Sequence, residues 1–290
     1  MYKARPTLSP TAAKSFEKCP LSFRLNKIDK IKFPSSPEAA KGILVHKILQ
    51  DVFNQFADKR NLDYALSIIE SSWNKLAADD KKLAQEKQSG LSDLKIDNSF
   101  FEDAKELLES YFKMEDPSKI YSQSQEQWIR FNTDDVCFLG QIDRVDKSPD
   151  GQIRIVDYKT GKSPNPRFLD EVIFQLRFYA YLWEKNYKQP PALLTLYYLK
   201  DGKAVESSVS KNDIAALEKE ITDIWNKVKI CATENNWEAR QNPLCDWCAY
   251  KDEYCPIFGG TPPKINPASV QTAIGVKPKS EAAEPKLENE

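Results

Sequence analysis

The sequence contains one histidine, no apolar run of membrane length, no nucleotide-binding phosphate loop and almost no net charge. Each absence narrows the choice. No stretch approaches the roughly eighteen apolar residues of a membrane span, and the opening MYKARPTLSP lacks the apolar region of a secretory leader, which leads to the expectation of a cytosolic protein. No G-x-x-x-x-G-K-[ST] occurs, so no P-loop ATP motor is encoded. Forty-two basic residues against 43 acidic ones leave a formal charge of −1 and a pI of about 6.1. No global field therefore advertises a polyanionic partner. Locally the balance differs: Lys3, Arg5, Lys14, Lys18, Arg24, Lys27, Lys30 and Lys32 face only Glu17 and Asp29, a basic patch suited to phosphates.

At 290 residues the chain can bury a large core, as one elaborated domain or two small ones. Six cysteines in a reducing compartment point to metal ligation or burial rather than a disulfide framework. Three are clustered: Cys245, Cys248 and Cys255 stand in C-x2-C-x6-C, within a 243–256 segment too poor in apolar residues to build its own core. Three thiolates need a fourth partner to complete a zinc site or a four-cysteine cluster. The candidates are Cys19, Cys137 and Cys231; the last two read as small buried residues.

The strongest local signal is the hairpin FLGQIDRVDKSPDGQIRIVDYK at 138–159. Two runs rich in Ile and Val flank Ser148-Pro149-Asp150-Gly151, which is turn chemistry. A turn centred near Asp150 sets Asp143 opposite Asp157, and like charges so placed destabilise a sheet unless a hard cation is shared between them. Lys159, two residues beyond Asp157, lies on the same face. Taken alone, the group reads equally as solvated charges near a sheet end. Glu126, in a strand just before the hairpin, reads as an exposed strand residue that could place another acid nearby.

Elsewhere Ser9-Pro10 starts a helix that ends near Cys19-Pro20, after which Phe23 and Leu25 dock on the body. A Pro/Ser linker at 32–37 precedes an amphipathic helix over 38–57 that carries His46, with Gly42 one turn earlier. Residues 62–115 read as two helices forming an insertion, with a loop in the polar tract 79–94. A basic loop at 160–164 leads to a helix over 170–187, on which Gln175 and Tyr179 share a face. Strands at 192–199 and 204–209 and a helix over 211–235 follow. From Thr261 onward aromatics vanish, so 261–290 reads as a disordered tail.

Gly42-x-x-x-His46, Gly140-x-Ile142-Asp143-Arg144-x-Asp146, Ile155-Val156-Asp157-Tyr158-Lys159-Thr160-Gly161 and Gln175-x-x-x-Tyr179, in that order, resemble the RecB-like branch of the PD-(D/E)xK nucleases. The split cysteines, Cys19 with Cys245, Cys248 and Cys255, resemble the iron–sulfur members of that branch, such as the AddB nuclease domain and the CRISPR-associated single-strand exonucleases. The resemblance spans residues 8–258.

It implies an α/β, restriction-endonuclease-like fold over residues 1–260: a central mixed sheet flanked by helices, with a helical insertion and a cysteine-cluster clasp. It further implies Mg²⁺ or Mn²⁺ held by His46, Asp143, Asp157 and the Tyr158 carbonyl. Lys159 would orient the attacking water, and Gln175 and Tyr179 would position the strand or the lysine. The four cysteines would carry a [4Fe–4S] cluster, zinc being the alternative. The implied activity is hydrolysis of DNA, single strands favoured and an exonuclease mode expected, in repair or recombination beside a separate helicase. A non-catalytic DNA-binding or accessory subunit is the second class of function; a degenerate copy would have lost one of His46, Asp143, Asp157 or Lys159, and all four are present.

Overall fold

The computed structural model describes residues 5–84, 90–91, 93–165 and 169–276. The chain divides into two compact units, one made of residues 1–31, 132–138 and 219–290, the other of 32–131 and 139–218.

In the first unit the short strand β1 (Thr7–Leu8) runs parallel to the start of β3 (Cys137–Lys147), pairing Thr7 with Cys137 and Leu8 with Phe138. Helix α1 (Pro10–Lys18) starts where the sequence places it, because the Ser9 side chain accepts a hydrogen bond from the Ala12 amide at 3.2 Å and Pro10 needs no donor there. Cys19 ends α1 in an extended conformation, as expected before a proline. The chain then enters a helix that the sequence reading did not foresee, α2 (Pro20–Lys27), for which Pro20 supplies the first turn. Phe23 and Leu25 are both buried. Phe23 packs edge-on to Phe16 and stacks on Trp237.

The second unit contains α3 (Pro37–Phe53), α4 (Leu62–Ser67), α5 (Ile69–Ala84) and α6 (Asn98–Met114), then strands β2 (Ser122–Asn132), β3, β4 (Ile153–Lys159), β5 (Leu193–Tyr198) and β6 (Lys203–Ser207), with α7 (Leu169–Tyr187) between β4 and β5. Ser36 caps α3 through the Ala39 amide. The helix stops at Phe53, four residues before the expected end, and Phe56 lies largely exposed beyond it. Among the described residues the insertion contains three helices rather than two. Within the expected loop tract, α5 continues to Ala84; residues 85–89 and 92 lie outside the described residues.

The sheet is mixed: β3 is antiparallel to β4, β4 parallel to β5, β5 antiparallel to β6, and β2 also pairs with β3. Leu44, Ile48 and Leu49 of α3 join Leu107 and Leu108 of α6 in a core that meets Val156, Tyr158 and Tyr197 of the sheet and Leu199 just beyond β5. This is the α/β sheet-and-helix architecture expected of a restriction-endonuclease-like fold.

The carboxy-terminal part belongs to the first unit. It holds most of α8 (Lys211–Glu234), the short α9 (Lys251–Tyr254) and α10 (Pro267–Ile274). The last corrects the expectation of a disordered tail from Thr261. Asn266 caps α10, Pro267 opens it and Val270, Gln271 and Ile274 are buried, so a short helix with two large apolar side chains docks. Residues 277–290 lie outside the described residues. The expected basic patch is also partly consumed. Arg24 is buried against Asp29 at 3.0 Å and Lys14 pairs with Glu17 at 2.8 Å and Glu220 at 3.3 Å, while Lys3 lies outside the described residues.

Candidate active site

The hairpin's geometry follows from its turn. Gly151 adopts φ +85°, which glycine tolerates without strain, and donates to the Ser148 carbonyl at 2.9 Å. The register pairs Arg144 with Val156 and Lys147 with Ile153. Continued one residue toward the strand end, it sets Asp143 opposite Asp157, as the turn chemistry implies. Alternation then separates two faces: Asp143, Asp157 and Lys159 on one, Arg144, Asp146 and Arg154 on the other.

Around Asp143 and Asp157 the second unit brings together every residue assigned to its site from sequence. Asp143 Oδ2 accepts from the Tyr158 amide at 2.8 Å, and His46 Nε2 donates to the Tyr158 carbonyl at 3.0 Å. His46 Nδ1 lies 3.4 Å from Asp143 Oδ2 and 3.9 Å from Glu126 Oε1. The Lys159 ammonium stands 2.6 Å from Asp157 Oδ2 and donates to Gln175 Oε1 at 2.8 Å. The Gln175 amide nitrogen in turn donates to Asp157 Oδ1 at 2.8 Å and to the Tyr179 hydroxyl at 2.7 Å.

Gln175 thus clamps the acid and the lysine in fixed relation, and Tyr179 holds Gln175. Gly140 makes this possible. A Cβ there would sit 2.6 Å from Tyr179 Cε1, well inside contact distance. Gly140→Ala is accordingly expected to push the Tyr179 ring aside and lower catalytic turnover about tenfold or more. A Gly140→Ala, Tyr179→Phe pair should show the two changes to be non-additive; additive losses would refute the coupling.

Glu126, an exposed strand residue by its sequence pattern, joins the site as well. Among the described residues, His46, Glu126 and Asp143 are the group whose ligand atoms all lie within 4.8 Å of one another. Glu126 reaches it from within β2 by taking φ +48°, a left-handed conformation that costs a non-glycine residue energy and turns its side chain off the regular alternation. No local sequence pattern announces such a break, which is why period-2 reasoning leaves the residue outside.

The electrostatics describe a site crowded with negative charge. Burial and then the Asp143 charge push the Glu126 carboxyl up to about 7, against the pull of His46. Burial and Asp143 likewise raise Asp157, opposed by Lys159. Burial alone would lower His46, but Asp143, with Asp157 and Glu126, outweighs it and raises the imidazole to about 9. A divalent cation would replace that proton as the compensating charge. An imidazole nitrogen, carboxylate oxygens and a peptide carbonyl form a donor set that suits Mg²⁺ or Mn²⁺. The residues therefore fit such an ion.

In the first unit Cys19 stands at the corner between α1 and α2, where its sulfur accepts from the Arg240 amide at 3.5 Å. Cys245 Sγ accepts from the Asn242 amide at 3.3 Å. Cys19 and Cys248 pack on the same small core of Leu21, Leu25 and Tyr250. Burial raises the Cys248 thiol, and so does the charge of Cys19, Cys245 and Cys255 nearby. Among the described residues no three cysteine sulfurs lie within 4.8 Å of one another. Cys137 is buried, and Cys231, in α8, is half-buried.

The model of the PD-(D/E)XK nuclease superfamily matches residues 7–256. The chain belongs to this superfamily. Its members hydrolyse phosphodiester bonds with divalent cations, a chemistry the His46, Glu126 and Asp143 group can serve. No curated protein matches the sequence. Among solved structures, a Eubacterium rectale protein provisionally named an exonuclease aligns over 84% of this chain and 88% of its own, with a TM-score of 0.54 and 14% identity. That likeness supports the PD-(D/E)XK fold. The structure of SSO0001 aligns over 64% of this chain and 80% of its own at 18% identity, with a TM-score of 0.37, too low to bear on the fold. No described helix is long and apolar enough to cross a membrane.

Proposed function

We propose that this chain is a Mg²⁺- or Mn²⁺-dependent deoxyribonuclease of the RecB-like branch that degrades single-stranded DNA from an end, in repair or recombination, beside a separate helicase. One observation carries the reading: His46, Asp143, Asp157, the Tyr158 carbonyl and Lys159 meet at the end of β3 and β4, with Gln175 bridging Asp157 to Lys159. His46, Asp143, Asp157 and the Tyr158 carbonyl would hold the cation, with Glu126 beside them.

The bound cation would offset the anionic charge of the phosphodiester and lower the pKa of its water. The chain's own part is placement. Lys159 presents a fixed positive charge where the transition state accumulates negative charge, and its two anchors mean that little reorganisation is needed as the reaction proceeds. Tyr179 keeps Gln175 turned toward both partners. The Eubacterium rectale protein of the same fold carries an exonuclease name, the mode proposed here.

Cys19, Cys245, Cys248 and Cys255 would bind a [4Fe–4S] cluster that joins the two ends of the first unit. Four thiolates also suit tetrahedral zinc, the alternative occupant.

A time course with end-labelled single- and double-stranded DNA and Mg²⁺ or Mn²⁺ tests the activity. Release of short products from the labelled single strand, abolished by chelation, is expected; no cation-dependent cleavage of either substrate would overturn it. Brown protein with bound iron is expected from the cysteines, and colourless protein with one equivalent of zinc would overturn that assignment.

A further inference from the structure

Beside the acidic group, a groove of about 520 Å³ opens within the second unit. Its lining is of two kinds. His46 and Glu126 are among the lining residues, so the groove is continuous with the candidate active site. Ala39, Ile43 and Leu76 add an apolar surface from α3 and α5. Ile43 remains 42% exposed although the α3 residues on either side of it, Ala40, Leu44 and Val45, are buried. Ile43 and His46 are three residues apart on one helix face, less than a turn of about 5.4 Å, a separation comparable to that between a phosphate and its own base.

The volume falls in the range of small-molecule sites, about 300–1,000 Å³, and is far too small for a duplex. Lys47, which also lines the groove, is paired with Asp51. Gln50 and Gln141 are the neutral hydrogen-bonding side chains present. An apolar surface with amide groups beside it suits the face and edge of a nucleobase and offers nothing that distinguishes one base from another.

We propose that Ile43 and Leu76 form the platform for the unpaired nucleobase adjoining the scissile phosphate, an inference that rests on the nuclease reading above. A base can occupy this surface only when it is out of the duplex stack, so the platform makes unpaired DNA the preferred substrate and leaves base identity unread. The continuity of the groove fixes the geometry: phosphate toward His46 and Glu126, base toward Ile43 and Leu76.

The test combines enzyme variants with substrate variants. Single-stranded oligonucleotides carry an abasic residue at each position flanking the cleaved bond, and wild type is compared with Ile43→Ala and Leu76→Ala. Wild type is expected to lose about tenfold in kcat/KM on one abasic substrate, chiefly through KM. For Ile43→Ala the intact and abasic substrates should differ by no more than about twofold, because the base has lost its contact. Ile43 is exposed enough for the variant to fold, and Leu76→Ala gives a second reading from α5.

Fluorescence anisotropy in a Lys159→Ala background reads the same discrimination as affinity, without turnover. Wild-type discrimination retained by both variants at every flanking position would overturn the platform. Absence of cleavage by wild type would instead count against the nuclease reading. In that case anisotropy alone decides the platform, and equal affinity for intact and abasic strands in the Lys159→Ala background overturns it.

Discussion

Replacing Lys159 with alanine is expected to slow cation-dependent cleavage by about 10²- to 10³-fold, the loss typical of removing one preorganised charge from a transition state, while divalent-cation binding survives. The two effects separate because the lysine supplies no metal ligand. Its ammonium contacts Asp157 and Gln175, and removing it leaves the group formed by His46, Glu126 and Asp143 in place. Asp157→Ala should behave differently, losing both cleavage and a large part of cation affinity, because a carboxylate is removed from the donor set. Gln175→Ala should fall between them in rate, since Lys159 keeps its charge but loses one of two anchors. Single-turnover rates, with calorimetric titration of Mg²⁺ or Mn²⁺ in parallel, check all three. A Lys159→Ala protein that cleaves at half the wild-type rate or better would remove the lysine from the mechanism.

The parts of this arrangement that were legible in the sequence are those that local rules determine. Ser148 to Gly151 specified a turn, the turn specified the register, and the register brought Asp143 to Asp157 without knowledge of any other element. Gln175 and Tyr179 could be paired because four residues on a helix face are one turn apart. What escaped was set by tertiary context. Glu126 joins the group through a positive φ that no propensity encodes. Pro20 was read only as the end of a helix, although the same residue favours the first turn of the next. Val270 and Ile274 were too few to signal a packed helix, and become informative only once their burial is known.

The reverse face of the same hairpin shows the limit most clearly, because Arg144 and Asp146 were part of the recognised motif and yet had no assigned role. Arg144 is fully buried. Its guanidinium meets Glu115 Oε1 at 2.6 Å, Asp146 Oδ1 at 2.9 Å and the Tyr158 hydroxyl at 2.6 Å, and lies over the Phe53 ring. Arg154 closes the network, reaching Glu115 at 2.9 Å and Asp146 at 2.7 Å. Tyr158 thus has its side chain fixed by Arg144 and its backbone engaged by His46 and Asp143.

Arg144→Met is therefore expected to destabilise the protein by about 3–5 kcal/mol, the cost of leaving buried partners uncompensated, and to weaken cation binding even at temperatures where the protein stays folded. Adding Glu115→Gln should recover part of the stability, because one stranded charge is then removed. The pH dependence distinguishes this from a simple packing loss. Burial by itself would raise the Glu115 carboxyl, but Arg144 and Arg154 outweigh it and hold it down to about 2. Its stabilising contribution is thus complete above the ordinary carboxylate range and disappears as pH falls toward 2. Wild type should lose stability across that window more steeply than Glu115→Gln. Denaturant titrations between about pH 2 and pH 5 measure the difference; parallel curves for the two proteins would show that Glu115 is not held by the arginines, and the buried network would then not be what fixes Tyr158.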